Sequence, residues 1–120
     1  MIVKMKDLPY GTMGIYKINY PNGKVYIGLS VDIKRRMYEH WDAKKAKYPC
    51  DQAIFKYGVH LDEIEILEIV DNAKKLSERE RYWIAYYDAN NRDKGYNLTP
   101  GGDNSNLGGE DNSISVFTND

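Results

Sequence analysis

Apolar and polar positions change their period several times along the chain, and each change marks an element. From Gly14 to Tyr20 the run Gly-Ile-Tyr-Lys-Ile-Asn-Tyr is rich in β-formers, Pro21-Asn22-Gly23 is turn chemistry, and Lys24-Val-Tyr-Ile-Gly28 resumes the strand. The pattern predicts a β-hairpin. Proline suits the first turn position and glycine a left-handed one, which favours a three-residue loop with a glycine bulge. That register sets Ile18 opposite Tyr26 and makes Tyr16 a diagonal neighbour of Tyr26 on one face. A two-residue loop would send the two tyrosines to opposite faces.

After the hairpin, Ser30 reads as a helix N-cap with Asp32 in the first turn, for a helix running to about Lys47 and ended by Tyr48-Pro49. Asp51 can cap a short second helix from Gln52 to Tyr57, closed by Gly58. Ile64 to Val70 alternates around Glu65 and then turns almost wholly apolar, as a largely buried strand does. A third helix is expected from about Ala73 to Tyr87, then a short extended piece, Gly95-Tyr96-Asn97-Leu98. The order is that of a small α/β (α+β) sandwich with a mostly antiparallel sheet. Residues 1–99 form its single domain, and the Gly, Asn, Asp and Ser of 100–120 form a tail or linker.

Two helical stripes contain polar residues that a core does not ask for. In the first helix Ile33, Arg36, Met37, His40 and Trp41 share a face. Ile33, Met37 and Trp41 suit a core; Arg36 can snorkel along its edge or present its donor fork to a phosphate. His40, taken alone, reads as a hydrogen-bonded boundary residue. In the third helix Leu76, Glu80, Trp83 and Tyr87 follow a 4, 3, 4 spacing, so Glu80 falls inside an apolar stripe. A carboxylate there needs a partner, a proton or a metal. Ser77-Glu-Arg-Glu80 also matches a capping box, which would make Glu80 a cap if the helix began at Ser77. The helix-forming Ala73-Lys-Lys-Leu76 favours the earlier start and an inward-facing acid.

Composition narrows the setting without deciding the chemistry. The 120 residues suffice for one core, and the single cysteine, Cys50, permits no intrachain disulfide, in keeping with a reducing cytosol. No apolar run has the length of a membrane span, and the N-terminus lacks a signal-peptide layout, so a soluble, cytoplasmic protein without a membrane partner is expected. Net charge is −1, which makes no global case for nucleic acid. Locally, Lys34, Arg35, Arg36, Lys44, Lys45, Lys47 and Lys56 outnumber Asp32, Glu39, Asp42 and Asp51. Such a segment suits a phosphate-facing surface or a solvated helix face equally.

Hydrolysis of a phosphodiester needs an activated water, a neutralised phosphate and a stabilised leaving oxygen. A divalent ion supplies much of this, and Mg²⁺ accepts as few as one or two protein carboxylates. Tyrosine, with a free pKa of ~10, serves as a base only where neighbouring positive charge lowers it. Tyr16, Tyr26, Arg36 and Glu80 make a workable set. No His/Cys cluster, phosphate-cradling glycine loop or Ser-His-Asp arrangement competes with it.

These residues resemble the GIY-YIG nuclease family. Its two name motifs stand as Gly14-Ile15-Tyr16 and Tyr26-Ile27-Gly28, with ten residues from tyrosine to tyrosine. The stretch from Gly28 through Arg36 to His40 is similar to the family's arginine helix, Ser77-Glu-Arg-Glu80-Arg-Tyr-Trp83-Ile to its glutamate helix, and Gly95-Tyr96-Asn97 to its closing asparagine motif. The resemblance runs from about Gly14 to Leu98 and implies a small three-stranded antiparallel sheet flanked by helices. It implies that Tyr16 positions or deprotonates the attacking water, Tyr26 orients the site, and Arg36 holds the scissile phosphate. His40 would be a secondary proton-transfer or phosphate contact, Glu80 the ligand of one Mg²⁺ or Mn²⁺, and Asn97 a hydrogen-bonding support. Arg35 adjoins Arg36; Arg36 is chosen because it shares the stripe with Met37 and His40.

The helix-rich middle and the Gly-Tyr-Asn ending look most like the phage and bacterial homing-type branch, in which the nuclease domain is joined to a separate DNA-binding region. Leu107-Gly-Gly-Glu-Asp-Asn-Ser113 resembles the linker before such a region. The expectation is a DNA-cutting domain from a bacterial or phage-infected cell, without its C-terminal DNA-binding part. The alternatives are a repair or restriction-type nuclease, a catalytically silent nucleic-acid-binding module on the same scaffold, or a plain interaction domain.

Overall fold

The computed structural model describes residues 1–41, 52–54 and 62–101. Its centre is the hairpin of β2 (Gly14–Asn19) and β3 (Val25–Ser30), preceded by β1 (Ile2–Lys4). The turn is the three-residue one: Gly23 N–H donates to Tyr20 C=O, Tyr20 N–H donates to Lys24 C=O, and Gly23 takes a φ of 88°. Only glycine enters that region freely, so Pro21-Asn22-Gly23 sets the register. Ile18 pairs with Tyr26 and Tyr16 with Gly28, as the turn chemistry requires.

β4 (Glu63–Ile69) lies antiparallel between β2 and β1, giving the order β1-β4-β2-β3. The sheet thus has four strands where the family pattern implies three. The added strand is a three-residue edge piece, too short to leave a hydrophobic period. The β2–β4 register slips at Ile15/Tyr16. Beside the slip, Gly14 presses onto the backbone of Glu68, and a Cβ at Gly14 would collide with the Glu68 carbonyl. The first glycine of the tripeptide is therefore a packing requirement.

Two helices cover the two faces. α1 (Ile33–Trp41) sets Ile33 and Met37 on the face that carries Tyr16, Ile18 and Ile66, and α2 (Leu76–Tyr87) sets Leu76 and Ile84 on the face that carries Ile15 and Ile27. Alternation along β2 and β3 divides one strand pair between two cores. Burying each of these aliphatic side chains stabilises the fold by about 1.5–3 kcal/mol.

The helix starts differ in detail from the sequence reading. Ser30 ends β3, and its Oγ accepts from Asp32 N–H at 2.9 Å; the cap of α1 is Asp32, whose Oδ1 accepts from Arg35 N–H at 3.3 Å. Ser30 lost the cap because the strand runs two residues further than the hairpin pattern suggested. At the other helix, Asn72 accepts from Lys74 N–H and opens a 3₁₀ turn, Ala73–Lys75, that leads into α2. Helical structure thus begins near Ala73, and the capping-box reading of Ser77 is excluded. The edge of β3 is met by the returning chain: Val25 N–H donates to Lys94 C=O and Tyr96 N–H to Val25 C=O.

Among the described residues no helix is long and apolar enough to cross a membrane. The expected continuation of the first helix to Lys47, most of the second helix, the basic residues Lys44, Lys45, Lys47 and Lys56, and the tail beyond Gly101 lie outside the described residues. Residues 52–54 are helical, within the span expected for the second helix.

Candidate active site

Three of the residues singled out in the sequence meet on the α1 face. The Tyr16 Oη lies 3.0 Å from His40 Nε2, and both residues are only 1% exposed. Tyr26 completes a triangle of rings, its centroid 6.5 Å from Tyr16 and 5.9 Å from His40, while Tyr16 and His40 stand edge to face at 6.0 Å. The three-residue turn brings the tyrosines to one face, and α1 lowers His40 onto them two turns into the helix. Gly28 makes this packing feasible: it faces Tyr16 across the hairpin, and a Cβ there would overlap Tyr16 Cζ and Oη. His40 is accordingly no boundary residue. It is buried, and its partner is the first tyrosine.

Arg36 sits one turn before His40 on α1, with its side chain 25% exposed against 43% for Arg35. Both guanidinium groups reach Glu39: Arg36 Nη1 lies 3.2 Å from Oε1 and Arg35 Nη1 2.7 Å from Oε2. Glu39 was not singled out in the sequence, although its i+3 and i+4 spacing from the two arginines carried the signal. An exposed pair of this kind contributes little stability, so an incoming phosphate can displace Glu39 at small cost.

Glu80 is carried by the helix on the other face. Leu76 lies one turn before it and Ile84 one turn after, both buried, which places Glu80 on the inward stripe. It is half-buried rather than fully enclosed. The chain returns close to its carboxylate, for a Cβ at Gly101 would stand 2.9 Å from Glu80 Oε1. Both helices begin at the same end of the sheet. Ile33 N–H is tied to Thr12 C=O just before β2, and α2 is tied to Glu68 near the end of β4. Arg36 and Glu80 therefore belong to one end of the domain, approached from opposite faces.

The tie at Glu68 fixes the rotation of α2. The Glu68 carboxylate accepts from Arg79 Nε at 2.8 and 3.0 Å and from Trp83 Nε1 at 2.9 Å. Arg79 and Trp83 flank Glu80 in sequence, so this clamp sets the direction in which Glu80 leaves the helix. Burial pushes the Glu68 carboxyl up, but the Trp83 and Arg79 donors outweigh it and hold it below the ordinary carboxylate range. Nothing in the apolar run of β4 marked Glu68 beforehand, because its partners come from another element.

Asn97 works at the open edge of β3. Its Oδ1 accepts from Ile27 N–H at 2.9 Å and its Nδ2 donates to Ile27 C=O at 2.8 Å, so the amide side chain replaces a neighbouring strand. It braces the strand between Tyr26 and Gly28.

Among the described residues no three His, Cys, Asp or Glu side chains gather as a metal cage. A half-buried single carboxylate is instead the donor set that Mg²⁺ or Mn²⁺ uses when water and substrate phosphate complete its shell. Glu80 fits that requirement.

The sequence profile of the GIY-YIG catalytic domain matches residues 12–97. Among solved structures, the catalytic domain of the intron endonuclease I-TevI, in a mutant form, is similar with a TM-score of 0.59 and 25% sequence identity. The match covers 74% of this chain and 95% of that one. No curated protein matches the chain.

Proposed function

The chain belongs to the GIY-YIG family and is a DNA endonuclease, and from that premise we propose that it hydrolyses the phosphodiester bond with a single divalent ion on Glu80 and a Tyr16–His40 proton relay. The observation that carries the reading is the 3.0 Å contact between Tyr16 Oη and His40 Nε2 inside the ring cluster. With Nε2 unprotonated, His40 accepts the phenolic proton, and Tyr16 in turn accepts a proton from the attacking water. Tyr26 lines the same cluster and orients the water. Arg36 exchanges Glu39 for the scissile phosphate and presents its fork to the charge that grows on the phosphate oxygens. Mg²⁺ or Mn²⁺, when bound at Glu80, would neutralise the phosphate and stabilise the leaving oxygen. Asn97 keeps β3, and with it Tyr26, in place.

The likeness to an intron endonuclease supports a homing-type enzyme as the finer assignment. The test is nicking of supercoiled plasmid with Mg²⁺ or Mn²⁺. Glu80→Ala and Arg36→Ala are expected to lose about 10²–10³-fold in rate, the usual effect of removing one preorganised charge-stabilising group. Chelation of the metal should abolish cleavage by the wild type. Equal cleavage by the wild type and both variants would sink the proposed site.

A further inference from the structure

The outer side of α2 carries a stripe of which hydrolysis draws only on Arg79, through the Glu68 clamp. Lys75, Arg79, Tyr82 and Tyr86 follow one another at spacings of four, three and four, so they line one side of the helix from its entry onward. Tyr82 is 48% exposed and Tyr86 65%. Their rings lie nearly parallel, 21° apart, with centroids separated by 6.3 Å. Trp83 buttresses both edge to face, at 5.1 Å from Tyr82 and 5.4 Å from Tyr86, and the Arg79 guanidinium lies 4.5 Å from the Tyr82 ring centre. Among the described residues neither phenol makes a hydrogen bond. The fold thus holds two large rings in fixed, parallel orientation and leaves them in solvent.

What could cover them follows from the charges alongside. Lys74, Lys75 and Arg81 are exposed around the stripe, against Glu78 as the exposed acid within the helix, while Arg79 is shared with Glu68. An apolar protein surface would leave these cations without partners. Duplex DNA would satisfy the cations but keeps its base faces stacked inside. A single strand offers both complements at once, flat bases for the rings and phosphates for the flanking charges. We propose that the outer face of α2 binds single-stranded DNA, stacking unpaired bases on Tyr82 and Tyr86 and seating phosphates on Lys75 and Arg81. The site is separate from the hydrolytic one and does not depend on the roles of Tyr16, Arg36 or Glu80.

The experiment is fluorescence anisotropy of a labelled oligothymidine with the full chain in EDTA, so that cleavage plays no part. The double variant Tyr82→Ala/Tyr86→Ala should bind about tenfold or more weakly, the scale of losing stacked bases. Its melting temperature and circular dichroism should stay those of the wild type. Lys75→Glu/Arg81→Glu should flatten the salt dependence of binding. Unchanged affinity in the tyrosine variant overturns the proposal, as does a loss of duplex binding in that variant equal to its loss of oligothymidine binding. So does wild-type self-association in sedimentation equilibrium that vanishes in the variant, which would assign the face to a second copy of the chain. Oligothymidine binding that persists in a chain unable to cut plasmid would count against the hydrolytic reading and leave this one standing.

Discussion

On the α1 face, Tyr16, Tyr26 and His40 are joined by ring packing and the buried Tyr16–His40 hydrogen bond, whereas on the α2 face the direction of Glu80 depends on a carboxylate clamp at the sheet's rim. The first arrangement answers to volume. Its rings leave no room for a Cβ at Gly28, and dense packing passes an added atom on as displacement. The second answers to charge, because Glu68 and Arg79 are each about 30% exposed and feel both acid and salt. A site assembled from the two faces should therefore fail in two distinguishable ways.

Adding one methyl group should break the α1 side. Gly28→Ala drives a Cβ into the end of the Tyr16 ring, and overpacking of this kind costs about 1–3 kcal/mol. Because the Tyr16 hydroxyl must move away from His40, plasmid nicking should fall at least about tenfold along with thermal stability. A variant with wild-type melting and nicking would remove Gly28 from the account.

On the α2 side the corresponding change is Glu68→Ala, which strips Arg79 and Trp83 of their acceptor and should cost about 1–2 kcal/mol, toward the lower end for groups still partly in water. Its signature is pH. The folded-state pKa of Glu68 is lowered, so its stabilisation is present above the ordinary carboxylate range and is lost as pH falls through the lowered value. The stability gap between the wild type and Glu68→Gln should thus be full near neutrality and close in acid. For Gly28→Ala, no Glu68-linked closing is expected. Urea titrations at a series of pH values would settle whether the two faces differ in this way.

Smaller effects sharpen the contrast. Asn97→Ala removes two hydrogen bonds to Ile27 and should cost about 1–2 kcal/mol in chemical denaturation. Arg35→Ala should change stability by no more than about 1 kcal/mol and leave nicking near wild type, in contrast to Arg36→Ala. Equal loss of nicking in the two arginine variants would assign the phosphate contact to the pair rather than to Arg36.

What could be read in advance divides along the same lines. The hairpin and its register were legible because Pro21-Asn22-Gly23 is local chemistry, and the early start of the glutamate helix because Ala73 to Leu76 are good helix formers. Ser30 misled, since the same residue type that caps a helix also ends a strand, and only two residues separated the choices. β1 was too short to show a period. Glu68 and Glu39 acquire their meaning from arginines that the fold or the helix turn brings to them, which composition does not announce. Glu80 took the inward stripe that its spacing allowed, although it is only half-buried there.

The amide of Asn97 also has a consequence for the order in which the chain can become a protein. Its partner, Ile27, lies seventy residues earlier in the sequence. As the chain emerges during synthesis, the hairpin therefore stands with one margin unsheltered until nearly all of the catalytic region has followed it. An unpaired strand margin is a template for adding a foreign strand. Replacing Asn97 should accordingly appear first in the yield of soluble protein, before any change is felt at the phosphate.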